Sequence, residues 1–372
     1  MIGSADPTTN REEVPEIPVH AVADRPSVDL MNRDLPRVQA LVREALSRRS
    51  HPLLPLAIRV ADRVSRAWLI RQGNPYLHEI KEAAALLGRP GAYFLNVCYE
   101  WACSTSVAPD PAGQGVRMIR VLDWGLAGIG RHVVIARQDT PVGTFYNPTW
   151  PGFAGVVTGM APGRFAAAIN QAPRVPVLGV AGLDDGIVRL RMLGARGRVP
   201  ATHLLRRVFE TAPDYRSAVA QLSDDGADLA MPALFSLAGT GRKEGCVIEA
   251  FRRRRRVHPI SAETADAVGV ANQWLSSDLE GRARDHSRTT QRALGAEANN
   301  RERRRVICAA QEGAFRGAVD LPEPALNSHT VMVMAANPRT GEMTVEALDP
   351  VPGRILPRVV ARRSLRHSRR KS

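Results

Sequence analysis

Cysteine is scarce in this chain: there are four in 372 residues, and no two are spaced as CxxC. That excludes a disulfide framework and a zinc site built on paired cysteines. Aromatic residues make up only 5% of the chain, and none of its arginine runs is interleaved with them. A base-stacking platform for single-stranded nucleic acid is therefore missing. Long apolar runs are absent too, since Val331 to Ala336 is among the longest and falls far short of a bilayer span. The opening residues Met1 to Pro7 lack the basic-then-apolar order of a secretory signal. A reducing cytoplasm is the expected setting, with peripheral membrane contact left open.

What the chain does contain is ordinary for a soluble globular protein, with 44% hydrophobic and 24% charged residues and enough length for a sizeable core. The formal net charge is +14. Its arginines cluster at Arg252 to Arg256, at Arg303 to Arg305 and in a tail from Arg354 to Lys371. Without aromatics beside them these runs read as solvated faces and a charged tail, so no nucleic-acid partner is expected. Nothing in the pattern fixes an oligomeric state.

Periodicity divides the chain into four parts. Residues 1–34 are polar and proline-rich and read as a disordered arm. Residues 35–102 form a helical N-terminal segment. Leu35 to Arg49 places Val38, Leu41, Val42 and Ala45 on one face. Leu54 to Arg71 is apolar along one side and carries Arg59, Arg63 and Arg66 on the other. A shorter helix, Pro75 to Leu87, stops at Gly88 with Pro90 beyond it. Residues 103–352 alternate strands and helices in blocks, closing on a hairpin of Thr330 to Asn337 and Glu342 to Leu348; residues 353–372 form a basic tail. No internal repeat is present. The class is α+β, with mixed layers.

The chemistry concentrates around Cys103. A strand-like run from Ala92 to Cys98 leads into Ala102-Cys103-Ser104-Thr105-Ser106-Val107-Ala108, and Arg120-Val121-Leu122-Asp123-Trp124 follows after Gly113 and Gly115. This reads as a hairpin with a thiol on its first strand and an Arg-x-x-Asp on its second, the parts of a charge-tuned nucleophile. Cys98, Cys246 and Cys308 lie in apolar patterns and read as buried thiols. Cys103 differs, because small hydroxyl residues follow it. His132, His203, His258 and His329 sit in no local signature of a cysteine hydrolase. Another route to a base needs no histidine. Cleavage of the Ala102–Cys103 bond would free an α-amine, with a pKa of about 7.7–8.0, beside the thiol itself.

The order Asn96-x-x-Tyr99-Glu100, Ala102-Cys103-Ser104-Thr105-Ser106-Val107-Ala108 and Arg120-x-x-Asp123-Trp124 resembles the acid ceramidase and N-acylethanolamine acid amidase group. That group belongs to the choloylglycine hydrolase branch of the N-terminal-nucleophile hydrolases. The likeness continues through Phe153 to Phe165, Ile169-Asn170, Gly245 to Glu249, Val270-Ala271-Asn272 and the closing hairpin, roughly residues 75 to 350.

The resemblance implies a four-layer αββα sandwich and hydrolysis of linear C–N amides, the substrate being a small-molecule N-acyl amide. Cys103 would be both the residue of self-cleavage and the mature nucleophile, with Ala102 on the other side of the cut. Arg120 would stabilise the thiolate and Asp123 would hold the α-amine. Asn272 would donate to the oxyanion, with Asn170 and Gln171 beside it, and Arg288 matches a late family arginine. No cofactor or metal is implied. Acyl transfer on the same scaffold, or a catalytically silent protein that binds acylated ligands, remain as alternatives. The sequence departs from the group at several points. Cys103-Ser104-Thr105 replaces Cys-Thr-Ser, and the interval to Arg120 is one residue longer. Gln171 stands for Glu, and Ile119 and Val121 stand for Gly and Asn.

Overall fold

A computed structural model describes residues 14–47, 54–97, 101–126, 128–173, 197–251, 253–261, 266–277 and 291–367. The chain opens with β1 (Val19–Val22) and α1 (Pro26–Arg33), then runs through α2 (Leu35–Ser47), α3 (Leu54–Arg71), α4 (Leu77–Leu87) and α5 (Ala92–Val97). Strands β2 (Trp101–Pro109), β3 (Val116–Trp124), β4 (Val134–Thr140), β5 (Gly143–Thr149), β6 (Thr158–Ala161) and β7 (Phe165–Gln171) follow. After β8 (Arg198–Val199) come α6 (Ala201–Thr211) and α7 (Tyr215–Ser223). Then come β9 (Asp228–Leu229), β10 (Ala233–Gly239), β11 (Gly245–Phe251), β12 (Arg254–Pro259) and β13 (Val268–Val270). The long α8 (Gln291–Ala309) precedes β14 (Thr330–Asn337), β15 (Glu342–Asp349) and β16 (Arg358–Arg366).

Two sheets hold the molecule together. An eight-stranded sheet runs β1-β4-β5-β6-β7-β10-β11-β12 and a six-stranded sheet runs β13-β2-β3-β14-β15-β16, nearly all antiparallel. Strand alternation gives each sheet two apolar faces, and both are used. Val107, Met118 and Leu122 of the smaller sheet meet Met160, Ala166 and Ala168 of the larger one in a shared core. On the far face of the larger sheet, Phe165, Phe235 and Ile248 receive Leu205, Val208 and Phe209 of α6. On the far face of the smaller sheet, Ile119, Val121 and Val333 receive Ile307 of α8. Helix, sheet, sheet and helix therefore stack as the αββα sandwich. Helices α1 to α5 cover one end, with Trp68, Leu69, Ile80 and Tyr93 packed around Ala154.

The hairpin carrying Cys103 forms as its sequence requires. Strands β2 and β3 pair in register from Trp101↔Trp124 to Pro109↔Val116. The turn uses Gly113 at φ +78° and Gly115 at φ +73°, a left-handed backbone that glycine adopts without strain. Crowding excludes any side chain at Gly115, where a Cβ would lie 2.8 Å from the Thr240 carbonyl oxygen.

Three expectations need correction. From Val14 onward the supposed arm is built into the fold: β1 pairs in parallel with β4, and Val28, Leu30 and Met31 of α1 are buried. The basic tail also contributes a strand, because β16 pairs with β15 along its length and Arg362 reaches Glu346. Its burial alternates only weakly, with Arg358, Arg362 and Arg366 exposed, so the run carries little strand signal in the sequence. Ala92–Val97 is a helix rather than a strand, with Ala92, Tyr93 and Asn96 buried at helical spacing. The arginines Arg254 to Arg256 lie on the edge strand β12, where charged side chains discourage edge-to-edge pairing.

One buried ion pair ties the N-terminal helices to the sandwich. Arg206 of α6 sits 2.5 Å from Glu79 of α4, and their side chains are 2% and 4% exposed. Glu79 also accepts from the Ser27 backbone N–H at 2.8 Å, and Arg206 donates to the Ala154 carbonyl at 2.8 Å. Removing one partner of such a pair strands a buried charge. Glu79→Ala is expected to cost about 3–5 kcal/mol in urea denaturation. An unchanged midpoint would show that the helical end does not depend on this pair.

Candidate active site

Cys103 lies in the interior of the sandwich, fully buried, one residue inside an exposed Ala102. The pleat sends Cys103 and Thr105 inward, and from β3 it sends Arg120 and Leu122 toward them. Arg120 is itself completely buried. One guanidinium nitrogen, Nη2, reaches the Cys103 Sγ at 3.1 Å. The other, Nη1, donates to the Ile169 carbonyl at 2.8 Å and to the Asn170 Oδ1 at 3.2 Å, both on the opposite sheet.

Asn170 completes that seam. Its Oδ1 accepts from the Thr105 hydroxyl at 2.6 Å, and its Nδ2 donates to the carbonyls of Val270 and Ala271 at 3.0 and 3.1 Å. Those carbonyls lead directly to Asn272. The Asn272 Oδ1 accepts from the Cys103 backbone nitrogen at 2.9 Å, while its Nδ2 donates to the Gln171 carbonyl at 2.8 Å and faces the Trp101 carbonyl at 3.4 Å. The nitrogen that a cut at Ala102 would release is therefore already held by Asn272.

Asp123 stands elsewhere. Arg120 and Asp123 are three residues apart on one strand, an odd spacing, so their side chains leave opposite faces. The thiol faces the guanidinium, as expected, but the carboxylate points toward α8. There it accepts from the Thr330 hydroxyl at 2.7 Å, the Asn327 Nδ2 at 3.0 Å and the Arg303 Nη2 at 2.6 Å. Asp123 pairs in register with Ala102 and so flanks the same peptide bond from the outer side.

Arg303 is the main residue that sequence reasoning overlooked. It is 4% exposed and joins Asp123 to Asn272, whose Oδ1 receives its Nη1 at 3.1 Å. It was hidden in a charged run, yet the signal was present. Arg303, Val306 and Ile307 follow helical spacing and share the buried face of α8. Asn327 and Thr330 were missed as well, being short polar residues in a loop with no motif to mark them. Arg288 lies outside the described residues. Gln171 lines the groove beside Ala102, and its backbone carbonyl is the part that engages Asn272.

Two open grooves meet at Ala102 and Arg303. One is lined by Trp101, Gln171, Asn272 and Asn300; the other by Asp123, Trp124, Asn327 and His329. Trp124 also borders a separate apolar cavity of about 220 Å³, closed by Met31, Leu41, Ile58, Leu95 and Trp150. Among the described residues no group of three or more His, Cys, Asp or Glu is arranged to hold a metal ion.

Burial pushes the Cys103 thiol above its ordinary range, opposed by the Arg120 charge, raised further by Asp123 and opposed again by Arg303. A buried thiol held protonated is unreactive until its surroundings open. In the uncleaved chain, alkylation of Cys103 by iodoacetamide is expected to be at least about a hundredfold slower than in denaturant. Its rate is expected to be still climbing at pH 9. A fast reaction levelling off near neutral pH would contradict this burial.

No family model matches the chain. Among curated proteins it is similar to acid ceramidase. It is 27% identical to the Pan troglodytes and Homo sapiens proteins over 200 residues, which is 48% of this chain and 48% of theirs. Against the Bos taurus protein it is 26% identical over 203 residues, 49% of this chain and 48% of that one. The chain thus spans about half the length of the curated relatives it matches. Among solved structures, the Caenorhabditis elegans ortholog of N-acylethanolamine-hydrolyzing acid amidase aligns at 19% identity. It covers 63% of this chain and 93% of its own, with a TM-score of 0.46. A conjugated bile acid hydrolase from Clostridium perfringens aligns at 8% identity, over 72% and 98% of the two chains, with a TM-score of 0.35. The chain is thus similar to acid ceramidase over about half of its length.

Proposed function

We propose that this chain hydrolyses linear amides, joining an apolar acyl group to a small amine, with Cys103 as nucleophile after self-cleavage at Ala102–Cys103. The observation that carries the reading is the contact set around one residue. Arg120 lies 3.1 Å from the Cys103 sulfur, and the Asn272 side chain lies 2.9 Å from the Cys103 nitrogen. Sulfur and nitrogen of a single residue are thus each met by a group suited to its role.

In self-cleavage the Cys103 Sγ attacks the Ala102 carbonyl carbon and the C–N bond breaks. The nitrogen takes a proton, and water then opens the resulting thioester to leave an Ala102 carboxylate and a free α-amine. In turnover that amine accepts the thiol proton as Sγ attacks the substrate carbonyl, and it passes the proton to the leaving amine. Water releases the acyl group. The Arg120 cation favours the thiolate, and Asn272 orients the amine through its Oδ1. Asp123, fixed by Thr330, Asn327 and Arg303, holds negative charge on the outer side of the same bond. Asn272 and a backbone N–H near Asn170 serve the oxyanion, where one preorganised donor is worth about 3 kcal/mol.

The apolar cavity bordered by Trp124 supports an apolar acyl group. Helix α3 supports collection of substrate at an anionic lipid surface. Leu56, Val60 and Val64 are 60%, 53% and 39% exposed at successive turns, beside exposed Arg59 and Arg63. The departures at Ile119 and Val121 argue little for a silent ligand binder, because both residues face the α8 layer and pack there. Acyl transfer would use the same residues and is told apart by its products.

Denaturing mass spectrometry of the wild type should give two fragments meeting at Ala102/Cys103, and Cys103→Ala should stay whole. Asn272→Ala should slow cleavage about 10²–10³-fold. A wild-type chain that remains whole and inert toward N-acyl amides from pH 4 to 8 would end the proposal, and transfer to an added amine in preference to water would turn it toward acyl transfer. Sedimentation with anionic vesicles should be lost in the Leu56→Glu/Val60→Glu variant; equal binding by both chains would remove the lipid-surface role of α3.

A further inference from the structure

Glu249 of β11 is a fully buried carboxylate to which the chemistry above gives no part. It faces the interior between the sheets, on the same side of its strand as Val247. Its Oε1 accepts from the Leu275 backbone N–H and, at 3.2 Å, from that of Ser276. Its Oε2 accepts from the Ser276 hydroxyl and lies 2.8 Å from the His258 Nε2 on the neighbouring strand β12. The His258 Nε2 also stands 3.2 Å from the Ser276 hydroxyl. Ser, His and Glu do not form a catalytic relay here, because both partners of the histidine share one ring nitrogen, whereas a relay needs one on each.

The arrangement serves the loop instead. A buried carboxylate is costly unless its lone pairs are filled, and three of these four contacts come from two adjacent residues of one segment. That segment begins three residues after Asn272. At its front the Asn170 amide grips the carbonyls of Val270 and Ala271, and between the two anchors Trp274 is buried against Val247 and Leu234. Asn272 is thus suspended between a clamp on the nucleophile's side and one on Glu249. An acceptor that must meet the Cys103 nitrogen at 2.9 Å needs such support, since a displacement of about 1 Å costs about 10²-fold in rate.

We infer that Glu249 is a positioning residue that fixes Asn272 through the backbone of Leu275 and Ser276, with His258 completing its shell. The inference rests on the amidase reading for its effect on rate, but its effect on the loop can be measured without activity. Hydrogen exchange should be compared between the wild type and Glu249→Ala, with Glu249→Gln as the conservative variant. Peptides covering residues 268–277 should exchange at least about tenfold faster in Glu249→Ala, with the β14–β15 hairpin unchanged. Glu249→Gln keeps an oxygen for the two N–H groups and should restore most of the protection. Self-cleavage should slow about 10²-fold in Glu249→Ala and recover in Glu249→Gln; on an N-acyl amide, kcat should fall with KM within about twofold. If Glu249→Ala fails to fold, Ser276→Ala, which removes only the hydroxyl contact, should show the same loosening in smaller degree. Unchanged protection of residues 268–277 overturns the inference, as does a loosened loop with an undiminished cleavage rate. A wild type that never cleaves overturns the amidase reading instead, and the exchange pattern alone then decides for or against the clamp.

Discussion

A fully buried guanidinium sits where the two sheets meet, and the candidate site is arranged around it. Arg120 cannot shed its charge, so its two terminal nitrogens need acceptors around them at this depth. It finds the Cys103 sulfur and the Thr105 hydroxyl on its own sheet, and the Ile169 carbonyl and Asn170 on the other. Desolvation at this depth is expensive, and acceptors drawn from both sheets are what make the cation tolerable. The same need fixes the separation of the sheets at this point. A one-residue slip of either strand would turn the acceptors away and leave a bare charge in an apolar core.

Around that cation the polar groups form one connected set. Thr105 and Asn170 link to the carbonyls before Asn272, Asn272 links to the Cys103 nitrogen, and Arg303 links Asn272 to Asp123. The set runs from one face of β2 to the other through its backbone. It draws on the six-stranded sheet, the eight-stranded sheet and α8, so three of the four layers are represented around a single peptide bond. Packing alone would not require this; Val107 and Met118, on the same strands, settle for apolar neighbours.

Much of this was legible in the chain, for definable reasons. The hairpin, the capped α4, the amphipathic helices and the closing β14–β15 pair each follow a local period or a turn residue, and each is formed where expected. Cys103, Arg120, Asn170 and Asn272 lie in one set of contacts between the sheets. What failed was non-local. Val19–Val22 and Arg358–Arg366 are strands because sheet edges wait for them; the first is too short and the second too arginine-rich to announce it. The short apolar Ala92–Val97 run had no period of its own; its helix is set by Asn96, whose side chain bonds Ala92 and reaches Gly152 and Ala154. Strand parity already assigns Asp123 to the face opposite the thiol. At Arg303 a run of arginines masks the one that turns inward.

The opening segment has a role that its composition conceals. Residues Pro15 to Ile17 exchange backbone bonds with Arg362 at the rim of the smaller sheet, and from Val19, two residues on, the same stretch is paired with β4 at the rim of the larger one. It works as a seam sewn across the open side of the sandwich. Its far end is sewn in as well, since Trp101 remains paired with Trp124. A break in the chain after Ala102 would therefore not free what precedes it. To leave, that quarter of the protein would have to unpick both rims and abandon the Arg206–Glu79 pair at once, so severing one covalent bond would change the chemistry at Cys103 while leaving the body around it in one piece.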